Sequence, residues 1–504
     1  MGTGALAEAF LVAFKLPNFF RRLFAEGAFS AAFVPMFAGT LAEKGKEKAA
    51  EFAQQVLAVL TWSLVLFVII MEVSMPWVMV ALAPGFRDDP TQFALATDLT
   101  RITFPYLLCI SLVSLFAGVL NSLGKFAVVA AMPIMLNMCL IFSLLFVVPY
   151  APTSAHALSW GVAVAGVLQL TWIIIITRRN GVSLHLKLPR LTPDVRLFLR
   201  KMAPGIIGAG VVQINLWIDI VIATFLPGAI AFLYYADRVN QLPLSIIGTA
   251  MGAALLPWLS TQIRQEKMKE AISSQNRALE IVLFFTIPAT IALLLIAEPI
   301  ISVLFERGEF SAEASRATAY GLMGYALGLP AFVMVKVFSV SFFAHGNTKT
   351  PVIIASVALV TNVVLNIVLV LWFQKIGIMP HIGLAVATSI SSWLNLTMLA
   401  VTLHRYGHFQ LDPALLKRLL RILIACAVMA IVLVGAQLLV VDLLDGEGSL
   451  KVLALIIVIA SGGISFIAVA IMLRAIDVPM VKDILQRRKV RKNKAKNKKD
   501  NDLE

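Results

Sequence analysis

Apolar runs long enough to cross a bilayer recur along the whole chain, and no other feature limits its fold as much. A helix needs about 20 mostly apolar residues to span the hydrocarbon core. Thirteen such runs can be placed, at 5–38, 52–82, 102–122, 127–149, 155–177, 202–226, 229–260, 279–304, 318–344, 351–373, 382–403, 419–441 and 452–473. Backbone in lipid must satisfy its own polar groups, so the runs are read as helices and the fold as all-α and polytopic. At 60% hydrophobic and only 14% charged, the sequence has too little polar surface for an ordinary soluble enzyme or a nucleic-acid binder. Pro17, Pro35, Pro243, Pro257 and Pro330 interrupt several runs; such breaks are tolerated where the freed backbone faces protein or water. Cys109, Cys139 and Cys426 all sit inside apolar runs and read as small core residues.

The basic residues give the runs a direction. Of 42 Lys and Arg, 30 fall in the connections after runs 1, 3, 5, 7, 9 and 11 and in the C-terminal tail, against 6 in the alternate connections. Basic residues collect on the cytoplasmic side, so the first set is assigned there and the C-terminus is cytoplasmic. Ten of the basic residues lie between Lys482 and Lys499, a tail suited to anionic lipid heads and to anchoring the topology. With thirteen runs and the tail inside, Met1 falls outside.

An internal repeat bears on that position. Gly161-Val-Ala-Val-Ala165 returns as Gly383-Leu-Ala-Val-Ala387, Gly124 as Gly346, and Phe33-Val-Pro35-Met-Phe37 as Leu255-Leu-Pro257-Trp-Leu259, always 222 residues on. Matches in order at one spacing, each on the same side of the membrane, indicate a six-helix unit duplicated in parallel orientation. Subtracting the spacing from 202–226 leads below residue 1, so the first unit is expected to lack its first helix, and 14 spans are expected with it restored. The organisation read from this is 1–181 as the N-terminal lobe, 196–408 as the C-terminal lobe, 414–475 as two extra transmembrane helices, and 476–504 as the basic cytoplasmic tail.

Charges that remain inside the membrane are costly, and they usually face a water-filled cavity. Glu8, Lys15 and Arg22 are seven apart with Glu26 four beyond, so on a continuous helix they share a face, while Arg21 points elsewhere unless Pro17 bends the chain. The matching helix of the second unit carries Asp237 and Arg238 beside Tyr234 and Tyr235. Lys15, Arg21, Arg22 and Arg238 together suit an anion, and guanidinium groups suit a phosphate. The alternative is internal pairing, Arg22 with Glu26 and Asp237 with a neighbouring base, which only locks helices together. A second constellation, Asp219 with Asn362 and Asn366, offers oxygens to a small hard cation such as sodium, or else polar glue between helices. Asp88-Asp89 lie in a connection too short for a catalytic domain, and His404 and His408 flank a helix end marked by Gly407.

Phe14-Lys-Leu-Pro-Asn-Phe-Phe-Arg-Arg-Leu-Phe-Ala-Glu-Gly-Ala-Phe-Ser30 resembles the signature of the MurJ/MviN lipid II flippases, as do Phe104-Pro-Tyr106, Tyr234-Tyr-Ala-Asp-Arg238 and Lys349-Thr-Pro351. The resemblance runs over essentially the whole chain. That family belongs to the multidrug/oligosaccharidyl-lipid/polysaccharide exporter superfamily, with two six-helix lobes and two extra helices. The resemblance implies transport of lipid II, the undecaprenyl-diphosphate-linked disaccharide-pentapeptide, across the bacterial cytoplasmic membrane for cell wall synthesis. It puts functional arginines on Arg21 and Arg238 and acidic residues on Glu8 and Glu26, with Glu8 standing where the family usually has Asp. Sodium-binding relatives are similar at Asp219 and Asn362, but a second Asp is Asn366 here. Two further family arginines belong to the helix the first unit lacks, and the last two helices form a groove fitting a polyprenyl tail.

The mechanism expected is alternating access, with no covalent step, no bound cofactor and no nucleic acid. Sodium coupling or the membrane potential is expected to drive it, and lipid II and membrane lipids are the partners. The competing readings are an exporter of another polyprenyl-linked saccharide or a drug/cation antiporter of the same superfamily, and a polytopic lipid-modifying enzyme. The enzyme would need a catalytic carboxylate cluster on a sizeable loop, and every exterior connection is short.

Overall fold

The computed structural model describes residues 1–22, 28–444, 446 and 448–475. Among them are nineteen α-helices and no strand. In order they are α1 (Ala5–Phe20), α2 (Ala28–Val73), α3 (Met75–Leu82), α4 (Pro90–Thr103), α5 (Tyr106–Ser122), α6 (Phe126–Ala130), α7 (Met132–Phe142), α8 (Ser154–Arg179), α9 (Pro193–Ala223) and α10 (Ala229–Arg264). Then follow α11 (Met268–Leu295), α12 (Ala297–Phe305), α13 (Ala312–Ala326), α14 (Leu329–Ala344), α15 (Lys349–Lys375), α16 (His381–Arg405), α17 (Pro413–Leu439), α18 (Val441–Leu444) and α19 (Ser449–Met472). Ten helical stretches among the described residues are long and apolar enough to cross a membrane. The all-helical, membrane-spanning class read from the sequence is the class observed.

In the run at 5–38 the described residues form two α-helices, with Arg21 and Arg22 on a π-type turn after the first. α1 ends at Phe20 and α2 begins at Ala28. Pro17 does not end α1, which continues through it for one more turn. α2 then carries on through the charged connection at 39–51, broken only at Gly45 (φ 80°, ψ 179°). A side chain is barred from that conformation, so glycine is what lets the chain turn there.

Cα packing divides the chain into two compact units. One comprises Met1–Tyr235, Arg307–Ala314 and Ala355–Ala387; the other comprises Ala236–Glu306, Ser315–Ile354 and Thr388–Glu504. The first is built around a ladder of rings. Phe29, Phe33 and Phe37 recur every fourth residue, so they line one face of α2, with centroids 5.1 and 5.7 Å apart, and Phe52 stacks on Phe33 at 5.8 Å. Gly118 of α5 lies against the Phe33 ring, where any Cβ would collide with it. In the second unit α11, α17 and α19 share a core that includes Phe284, Cys426, Met429 and Phe466.

The turns at the repeated glycines have matching geometry. Gly124 (φ 75°) and Gly346 (φ 73°) are both left-handed. In the first turn Gly124 N donates to Asn121 O at 3.0 Å and Lys125 N to Leu120 O at 2.9 Å; in the second Gly346 N donates to Phe343 O at 3.0 Å and Asn347 N to Phe342 O at 2.9 Å. Both are glycine-closed helix ends in which freed carbonyls regain donors.

Candidate functional site

α1 carries Glu8 and Lys15, and the structure gives the two different surroundings. Glu8 is 4% exposed. Its Oε1 accepts the N–H of Ile230 at 3.1 Å, with the N–H groups of Gly228 and Ala231 close by, and Gln92 Nε2 lies 3.5 Å from Oε2. Gly228 has φ 77° and α10 starts at the next residue, so the carboxylate sits on the N-terminus of α10. Unpaired N–H groups and the positive end of the helix dipole favour an anion there. Around this contact the first unit is tightly closed. Gly85 N donates to Thr224 Oγ1 at 3.1 Å, Gly2 lies against the backbone of Glu309, and Phe232 packs on His381 with ring centroids 5.1 Å apart. Tyr235 meets Phe310 edge-on at 5.3 Å.

Seven residues along α1, Lys15 is half-buried and interacts through its charge with Asp219 of α9. The two constellations read separately from the sequence therefore meet at these residues. Asp219 Oδ1 accepts from Asn366 Nδ2 at 2.6 Å, and the same nitrogen donates to Asn362 Oδ1 at 3.1 Å. Asn362 and Asn366, one turn apart on α15, are 1% and 0% exposed. The three residues proposed to share a site are together, and an amide nitrogen lies among their oxygens. Among the described residues no group of three or more His, Cys, Asp or Glu could hold a metal ion.

Past Phe20, Arg21 and Arg22 lie on a wider, π-type turn, Arg21 half-buried and Arg22 exposed. Glu26 lies outside the described residues. At the α1 end nearest them, Leu16, Phe19 and Phe20 join Met71, Val78, Leu82, Ile214 and Trp217 around an apolar cavity of about 300 Å³. In the second unit Asp237 accepts from Gln241 Nε2 at 2.6 Å and lies 3.7 Å from the guanidinium of Arg238, whose side chain is 49% exposed. An ion pair that open contributes little to stability.

Other charges resolve into structural roles. Asp89 caps α4, its Oδ1 accepting from Thr91 N at 2.9 Å and Gln92 N at 3.2 Å. His404 Nδ1 pairs with Phe409 O at 3.0 Å, whereas the His408 ring stacks on His345 with centroids 3.7 Å apart. Burial and the neighbouring His345 hold the His408 imidazole below its usual value. Sequence reasoning missed one buried pair. Glu280 of α11, nearly inaccessible, accepts a hydrogen bond from Arg418 of α17. The available signal was a carboxylate at the edge of the run at 279–304, with Arg418 just before the run at 419–441.

Known proteins share both the sequence and the fold of this chain. The family model described as lipid II flippase MurJ matches residues 1–458. A protein of Rhizobium tropici named as a probable lipid II flippase MurJ is 41% identical over 500 residues, covering 97% of this chain and 92% of that protein. A solved structure of the lipid II flippase MurJ in an inward closed conformation superposes with a TM-score of 0.77 at 26% identity, covering 94% of this chain and 93% of that one. An inward-facing multidrug-resistance MATE transporter of the MOP superfamily superposes with a TM-score of 0.64 at 13% identity, over 80% of this chain and 94% of that one, a likeness of fold.

Proposed function

The chain belongs to the MurJ family of lipid II flippases, transporters and not enzymes, and we propose that it carries lipid II from the inner to the outer leaflet of the bacterial cytoplasmic membrane by alternating access. The lobes are 1–181 and 196–408, the helices of 414–475 offer the polyprenyl tail a groove, and the tail 476–504 lies in the cytoplasm with the other basic connections. The head group enters from that side. At 1.5 Å per residue, Lys15 lies roughly 10 Å further along α1 than Glu8, and Arg21 about 20 Å further. Arg21, Arg22 and Arg238 are the groups we assign to the diphosphate, where a guanidinium makes paired N–H contacts. Lys15 and Asp237 set the charge around them.

The observation that carries the alternating-access reading is the capping of α10 by Glu8. It lies at the end of α1 and α10 poor in basic connections, together with the close contacts at Gly2, Gly85 and Phe232, and supports an exterior gate that is shut in this conformation. Opening it means withdrawing one carboxylate from one helix end. Glu26 is assigned to the gating charges on the resemblance of its motif.

The membrane potential supplies a drive through the substrate itself. An anionic head group moving out of a negative interior gains about 2.3 kcal/mol per charge per 100 mV. Depletion of the protein in cells tests the substrate: lipid II is expected to accumulate in the inner leaflet. Accumulation of a different lipid-linked saccharide, with lipid II still reaching the outer leaflet, would overturn this reading.

A further inference from the structure

A small hard cation binds in a shell of oxygens, each turned toward the ion. Asp219, Asn362 and Asn366 have the oxygens for such a shell, and two of the three side chains are fully buried. The hydrogen bonds run the other way. Asp219 Oδ1 is a carboxylate oxygen and only accepts, so the Asn366 atom 2.6 Å from it has to be the N–H₂ group. The second N–H of that group points at Asn362 Oδ1, 3.1 Å away. Both hydrogens of one amide thus reach oxygens that an ion would gather. Turning the amide over, to offer its oxygen to an ion, would break both bonds and set oxygen against carboxylate. Lys15 adds a fixed positive charge acting on the same carboxylate. As arranged, these residues do not fit a sodium ion.

We infer that this chain has replaced a bound cation with its own side chains: the Asn366 amide nitrogen bridges Asp219 and Asn362 and, with the charge of Lys15, makes a junction at Asp219 that needs no sodium. The junction lies wholly within the first compact unit, and the inference does not depend on which lipid is carried. It makes the residue at 366 the switch between two kinds of junction. Asn366→Asp would exchange the N–H₂ for a second carboxylate oxygen, leaving an all-oxygen set with surplus negative charge that only a cation completes.

The full chain in detergent provides the test, through thermal unfolding in sodium chloride against choline chloride and equilibrium binding of radiolabelled sodium. The wild type is expected to unfold at the same temperature in both salts and to bind no saturable sodium. Asn366→Asp is expected to unfold at a lower temperature in choline and to recover in sodium with saturable binding. Lys15→Gln/Asn366→Asp, which removes the competing ammonium, is expected to bind sodium more tightly still. Saturable sodium binding by the wild type that is lost in Asp219→Asn overturns the inference, as does indifference to sodium of both the single Asn366→Asp variant and the double variant.

Discussion

Glu8 on α1 and Ile230 on α10 are 222 residues apart, the spacing of the internal repeat, so they are the same position in its two copies. One copy offers a carboxylate and the other its backbone N–H, and the two equivalents touch. Seven residues further on, the same spacing makes Lys15 the counterpart of Asp237. Lys15 acts through its charge on a carboxylate of another helix, whereas Asp237 is held by Gln241 from one turn along its own. A shared scaffold has therefore kept its helix positions and given up its symmetry of charge. The lesson is that duplication fixes where a helix runs, while single substitutions on the duplicated frame decide which end closes and where a cation stands.

A yardstick for that difference comes from the second unit, where Glu280 is buried against a dedicated cation. Arg418→Ala would leave its carboxylate uncompensated and cost about 3–5 kcal/mol, read as a large fall in unfolding temperature. A cost below about 1 kcal/mol would mean that the pair behaves as a surface contact. Glu8→Ile, which makes α1 like its counterpart, should cost less, about 1–2 kcal/mol, because backbone donors lose a partner but no charge is stranded. Transport should nonetheless fall sharply in that variant, and undiminished flipping would remove Glu8 from the gate. The smallest effect is expected where the copies still agree. Gly124→Ala and Gly346→Ala should each cost about 1 kcal/mol and by similar amounts, since both turns demand the same left-handed residue. Unequal costs would show that the matching turns carry different loads.

The helices were legible because a bilayer imposes a long apolar period that few other folds share, and the repeated glycines because their left-handed turns leave one residue type in place. The π-type turn at Arg21 and Arg22 was not, since Pro17 advertises a bend where α1 simply continues. Glu8, Lys15 and Arg22 were read as one face from spacing alone. Spacing fixes direction but not what lies opposite, and the structure turns Glu8 to a helix end, Lys15 to Asp219 and leaves Arg22 exposed. The Asp219 cluster was legible as a set, while the direction of its hydrogen bonds depends on distances that a sequence does not contain. Glu280 and Arg418 stayed hidden because a charge at the edge of an apolar run looks like an ordinary boundary residue.

The central claim is that lipid II crosses the membrane past the guanidinium groups of this chain. It is tested most directly by replacing the native protein in depleted cells with Arg238→Ala and measuring how much lipid II becomes accessible at the outer leaflet. The Arg238 side chain is half-exposed, so no buried packing is removed with it and the variant should insert and fold as the wild type does. The account predicts normal amounts of the protein in the membrane with outer-leaflet lipid II falling to the level of depleted cells; outer-leaflet lipid II at the wild-type level in that variant would contradict it.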